Sequence, residues 1–122
     1  MPEDMIRLMR SLFVPLAERI QELCWRPATD IYRAPEGWLL KFDLAGVKPE
    51  DISVSVCGRC LTVRGCRRDL FKEEGHCHYQ LEIAYSHFER SIELPGNLEA
   101  AHITTEYRDG MLIVRIKTEA NP

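Results

Sequence analysis

The chain lacks any hydrophobic run long enough to cross a membrane. A spanning helix needs about 20 predominantly apolar residues. The longest apolar run near the start, Leu12 to Ala17, is interrupted by Pro15 and preceded by acidic Glu3 and Asp4. That arrangement also argues against a secretory signal, so the expected location is cytoplasmic, with no membrane partner. The chain lacks charge of one sign as well. Its 16 Lys and Arg stand against 19 Asp and Glu, for a net charge of −3. No basic patch or stripe emerges, which excludes general nucleic-acid binding. The count of five cysteines is odd, which argues against a closed disulfide framework. Cytosolic thiols stay mostly reduced in any case. Finally, the sequence holds neither a G-x-x-x-x-G-K-[ST] phosphate loop nor a G-x-S-x-G elbow. His76, His78, His87 and His102 have no nucleophile or orienting partner that the sequence reveals. The reading is therefore not an enzyme, with no catalytic residue, no cofactor and no ATP-driven work.

What is present suits one globular domain. A chain of 122 residues can bury roughly two-thirds of its unfolded surface without metal or disulfide. Apolar residues make up 45% and charged residues 29%, a normal mixture. Two regions differ in period. Met5, Met9, Leu12, Phe13, Leu16, Ile20 and Leu23 follow helical spacing along one stripe. Pro15 should kink that helix or split it. The stripe either packs on its own domain or forms a sticky arm that meets other chains.

Beyond Trp25 the period becomes two. Trp38, Leu40, Phe42 and Leu44 share one strand face, and Ile52, Val54 and Val56 another. Leu61 and Val63, then Phe88, Ile92 and Leu94, then Ile103, Thr105 and Tyr107, then Leu112, Val114 and Ile116 continue the pattern. Turn signals such as Pro35-Glu36-Gly37, Pro95-Gly96-Asn97 and Asp109-Gly110 separate these runs. Many short strands so spaced predict an all-β, antiparallel β-sandwich. The charged stretch "RRDLFKEEG", residues 67–75, breaks the alternation. It reads as an exposed excursion, and long loops inside small domains are often functional.

"VSVCGRCLTV", residues 54–63, admits two readings. As a hairpin with a type II′ turn at Gly58-Arg59, it pairs Val56 with Leu61, Val54 with Val63, and Cys57 with Cys60. Both faces then come out consistent, which a one-residue slip would destroy. Cross-strand Cβ atoms lie about 4.5–5.5 Å apart, at or beyond the usual disulfide range. A Cys57–Cys60 bond would be strained and easily reduced. The other reading is zinc, with Cys57 and Cys60 joined by His76 and His78. Alternation sends Cys77 to the opposite side from those histidines, and the second half lacks a standard ligand pair. Zinc is the weaker alternative.

Arg90 shares strand phase with Phe88, Ile92 and Leu94, so it points toward the core. An inward arginine needs a carboxylate or several carbonyl acceptors, unless it snorkels to water at a sheet edge.

The blocks from Trp25 to Lys117 together resemble the α-crystallin domain of small heat-shock proteins. The segment "WRPATDIYRAPEGWLLKFDLAGVKPEDISVSVCGRCLTVRG" is similar to the opening of that domain, through its W-x-P-x-x-D-I-Y start and its D-L-x-G-V-x-x-E-D-I-x-V block. "FERSIELPGNLEAAHITTEYRDGMLIVRI" is similar to its second half, with an F-x-R strand, a Leu-Pro turn and a D-G-x-L-x-V ending. Ala45 stands where the family usually has proline.

The resemblance implies an immunoglobulin-like sandwich over residues 25–117, an N-terminal arm over 1–24 and a short tail over 118–122. In the bacterial, archaeal and plant type it implies a dimer-exchange excursion, here 65–80, with the exchanged strand near His76 to Tyr79. Dimer contacts would then fall on Arg90, Phe71, His76, Cys77, His78 and Tyr79, with Arg90 in an intersubunit ion pair. The implied function is ATP-independent holding of partly unfolded client proteins. Client-binding residues would be Met5, Met9, Leu12, Phe13, Leu16 and Ile20 on the arm. Val54, Val56, Ile103 and Thr105 would join them in a groove near Leu112 and Val114. No I-x-I tail motif follows Lys117, so the expected assembly is a homodimer or small oligomers. Two alternatives on the same sandwich are a thiol- or zinc-responsive regulator using Cys57, Cys60, Cys66 and Cys77, and an adaptor for one folded partner.

Overall fold

Alternating apolar side chains can be buried only if two sheets face each other, and the chain folds accordingly. A computed structural model describes residues 25–118. The N-terminal helix expected from the 5–23 stripe lies outside the described residues. Seven strands follow in order: β1 Thr29–Ala34, β2 Gly37–Asp43, β3 Ile52–Cys57, β4 Cys60–Cys66, β5 His87–Glu93, β6 His102–Arg108 and β7 Met111–Lys117. A 3-10 turn over Pro49–Asp51 leads into β3. One sheet has the order β1-β2-β7-β6 and the other β3-β4-β5, and every pairing between these strands is antiparallel.

The core lies between the sheets. Leu40, Phe42 and Leu44 come from one side, Leu61, Val63, Phe88 and Ile92 from the other, and Leu112, Val114 and Ile116 from β7. Burying each such side chain is worth about 1.5–3 kcal/mol. No buried polar or charged residue is found among the described residues, so the interior makes few demands for polar partners. The expected β-sandwich is what forms.

The β3–β4 hairpin has the register its alternation implies: Val56 opposite Leu61, Val54 opposite Val63, Cys57 opposite Cys60. Gly58 has φ +61°, whereas Arg59 is not left-handed, which is the type II′ pattern.

The excursion departs from its expected limits. Gly65 is a strand residue paired with Phe88, and Cys66 pairs with His87. The unpaired segment therefore runs over 67–86, not 65–80. Gly65 looks like a loop residue in sequence because it has no side chain. In the fold it is the place where the Phe88 ring crosses β4, leaving no room for a Cβ. The segment His76 to Tyr79 forms no strand within this chain.

Candidate functional site

The sheet order makes β3 and β6 edge strands. Each puts alternate side chains against the core and, among the described residues, leaves its outer backbone edge without a strand partner. Ile52, Val54 and Val56 of β3 and Ile103 and Tyr107 of β6 are partly buried and pack on the one core. Val54, Val56 and Ile103 are thus half-buried. Thr105 is exposed. Leu112 and Val114 do not line a surface groove: they are 3% and 0% exposed, closed into the core because β7 is a central strand.

Tyr107 ties β6 to the loop after β2. Its hydroxyl reaches the carbonyl oxygens of Leu44 at 2.8 Å and Val47 at 2.7 Å. One proton serves both acceptors. Burial raises the phenol pKa above its ordinary value, opposed by the Val47 hydrogen bond and helped by Asp43.

A second surface lies on the 67–86 excursion. Of the large apolar residues left exposed, six fall there: Leu70, Phe71, Tyr79, Leu81, Ile83 and Tyr85. Phe71 is 88% exposed and Tyr79 fully so. His76, Cys77 and His78 are exposed beside them. The exchanged strand is expected near His76 to Tyr79, and the exposed apolar residues extend beyond it to Leu81, Ile83 and Tyr85. The signal was available: Tyr79, Leu81, Ile83 and Tyr85 alternate with Gln80, Glu82 and Ala84, the period of a half-buried strand. Ile31 and Tyr32, on the sheet-edge strand β1, are likewise about half exposed.

Arg90 points inward as its phase predicts, between buried Phe88 and Ile92. One terminal nitrogen donates to the Pro27 carbonyl at 2.9 Å. Its Nε is buried with no hydrogen-bond partner, and no carboxylate of the described residues pairs with it. Burial, then the nearby Arg26 charge, lowers its pKa from the ordinary arginine value.

Among the described residues four cysteines are outside any disulfide, Cys57 and Cys77 exposed and Cys60 and Cys66 half-buried. The described residues bring together no group of three or more His, Cys, Asp or Glu able to hold a metal. His76 instead lies 3.7 Å from Glu73 on the excursion. The zinc alternative therefore gains no ligand set.

These features coincide with a known family. Residues 30–122 match the Hsp20/alpha crystallin family. The chain belongs to this family. Small heat shock protein C4 of Rickettsia felis is 31% identical over 90 residues, which cover 74% of this chain and 55% of that protein. The chain thus spans a little over half the length of that curated relative. Two crystal structures are similar. The hspA of Xanthomonas axonopodis has a TM-score of 0.65 at 31% identity, over 78% of this chain and 95% of that one. A small heat-shock protein from Xylella fastidiosa has a TM-score of 0.67 at 29% identity, over 80% and 90% respectively. The Hsp20/alpha crystallin domain here thus shares the sandwich of its relatives. What it presents to other molecules is two half-apolar sheet edges and one apolar excursion.

Proposed function

We propose that this chain is an ATP-independent holdase that binds partly unfolded proteins and keeps them from aggregating. A partly unfolded client exposes apolar surface and unpaired strand edges, both prone to association. The observation that carries the reading is the half-burial of Val54, Val56 and Ile103 on strands whose outer edges are unpaired. Such a strand offers a client backbone hydrogen bonds and apolar contacts together. Family membership supports the same activity. Met5, Met9, Leu12, Phe13, Leu16 and Ile20, outside the described residues, supply a second apolar stripe. Methionines there suit many partners.

The working unit is a homodimer, with small oligomers built through the arm. The 67–86 segment exposes apolar residues at strand spacing but forms no strand pairing among the described residues. Strand β1 has a free edge with exposed Ile31 and Tyr32. Laying residues 79–85 of one copy along β1 of another would satisfy both. A carboxylate from the second copy would meet Arg90. The expected location is cytoplasmic.

A heat-aggregation assay with a model client and no ATP tests the holdase reading. The full chain is compared with one lacking residues 1–24 and with a Val54→Ser, Ile103→Ser variant. Light scattering suppressed by the full chain, and weakened in either variant, supports it. Unsuppressed scattering at a molar excess of the full chain overturns it.

A further inference from the structure

Cys57 and Cys60 are placed directly opposite each other across the Gly58-Arg59 turn. They belong to the outer face of the β3-β4-β5 sheet, which is otherwise polar: Ser53, Ser55, Thr62, Arg64, Glu89 and Ser91 line it. The Cys60 sulfur lies 3.9 Å from the Thr62 hydroxyl, which places it on that face. Free cysteine ordinarily behaves as a small buried hydrophobe. Two thiols facing each other on a polar surface serve no packing purpose.

The turn that holds them is pinned from outside the hairpin. The Gly58 amide donates to a Glu99 carboxylate oxygen at 2.6 Å. The Gly58 carbonyl accepts from Leu98 N at 2.8 Å, and the Arg59 carbonyl from Leu94 N at 2.9 Å. The loop 94–99 therefore holds in place the turn between the two cysteines. Opposed Cβ atoms in such a pair sit about 4.5–5.5 Å apart, and a disulfide wants about 3.8 Å. Closing the S–S bond would mean drawing the strands together against three hydrogen bonds. A single atom held between the sulfurs spans the wider gap without that movement.

We propose that Cys57 and Cys60 form a two-thiolate site for Cu(I). Thiolates are soft ligands and select soft ions such as Cu(I). Zinc wants four ligands, and the described residues assemble no group of three. Cu(I) has a filled d shell and is content with two thiolates in a near-linear arrangement. Binding releases both thiol protons to solvent and forms two Cu–S bonds. No electron moves, since the copper arrives already reduced. The complex carries one net negative charge. Glu93 stands opposite Cys60, and its carboxylate is held by Arg59 at 3.0 Å, so it does not face the site as a free anion.

The test is an anaerobic titration of the full chain with Cu(I) against a chromogenic Cu(I) chelator. Variants are Cys57→Ser, Cys60→Ser and the triple Cys24→Ser, Cys66→Ser, Cys77→Ser. The full chain and the triple variant should each withdraw one equivalent per chain. Loss of a thiolate ligand should weaken retention by more than about tenfold in either single variant. X-ray absorption should show two sulfur neighbours. The proposal is overturned if the full chain takes no copper from the chelator. It is also overturned if Cys57→Ser and Cys60→Ser hold it as well as the full chain, or if the triple variant loses it. Circular dichroism of each variant checks that the sandwich is intact. Client protection is not the readout, so failure here leaves the holdase reading untouched.

Discussion

The Arg67 guanidinium lies 3.7 Å from the centre of the Trp25 ring. Its Nε donates to the Ala84 carbonyl at 2.9 Å, and a terminal nitrogen donates to the Ala45 carbonyl at 3.1 Å. Its backbone amide donates to Ser86 at 3.0 Å. Trp25 in turn meets Phe88 edge-on, with centroids 5.3 Å apart. One arginine thus ties both ends of the 67–86 excursion to the core. A cation–π contact contributes about 0.5–2 kcal/mol, and each hydrogen bond about 1 kcal/mol. Arg67→Ala should destabilise the domain by about 1–3 kcal/mol in chemical denaturation. It should also speed amide exchange across 67–86 while leaving β2 and β7 slow. Arg67→Lys should recover little, because an ammonium cannot stack and fork together.

Tyr107→Phe keeps the ring and removes the hydroxyl that serves Leu44 and Val47. Two carbonyls lose their donor, so a loss of about 1–3 kcal/mol is expected in denaturant midpoints. The sign with pH is definite. The folded phenol pKa is raised, so its contribution is fully present below the ordinary tyrosine value of 10.0. That contribution falls as pH rises through the folded value. The wild-type chain should lose stability in that alkaline range more steeply than Tyr107→Phe.

Arg90 has one carbonyl acceptor and an unpartnered buried nitrogen. A partner carboxylate would complete it, and removing the arginine should then loosen the dimer. In sedimentation over a concentration series, Arg90→Met should raise the dimer dissociation constant by tenfold or more. Tenfold corresponds to about 1.4 kcal/mol, below the roughly 3–5 kcal/mol for breaking a fully buried charge pair, because Arg90 is only half-buried. An unchanged sedimentation profile with unchanged stability would sink the intersubunit ion pair.

The exposed alternation offers an independent handle on assembly. Leu81→Glu combined with Ile83→Lys should leave the monomer fold intact, since both side chains face solvent within the chain. If residues 79–85 pair with β1 of a second copy, the double variant should be mostly monomeric by light scattering. Dimers that persist at low micromolar concentration would place the contact elsewhere.

Gly65→Ala should cost more than Gly58→Ala. A Cβ at Gly65 would collide with the Asp51 carbonyl and lie 2.7 Å from the Phe88 ring, and overpacking costs about 1–3 kcal/mol. At Gly58 there is open space and the penalty is only that of a left-handed φ, about 1–2 kcal/mol. Thermal midpoints should rank wild type, Gly58→Ala, Gly65→Ala from highest to lowest.

Local pattern alone determined which side chains face inward. The alternation from Trp38 to Leu44 and from Leu112 to Ile116, and the hairpin register around Gly58, needed nothing beyond period two and a glycine turn. Arg90 was readable as inward for the same reason. The tertiary structure decided what long-range pairing decides. Strand β2 pairs with β7, and β4 with β5, across many intervening residues. A strand's own sequence does not say which partner it will take. That choice makes β3 and β6 edges, closes Leu112 and Val114 into the core, and leaves 67–86 with its apolar side chains in solvent. It also gives Arg90 a carbonyl of Pro27 where sequence phase could state only the need for a partner. Face is local geometry, whereas neighbour is set by the packing of the whole chain.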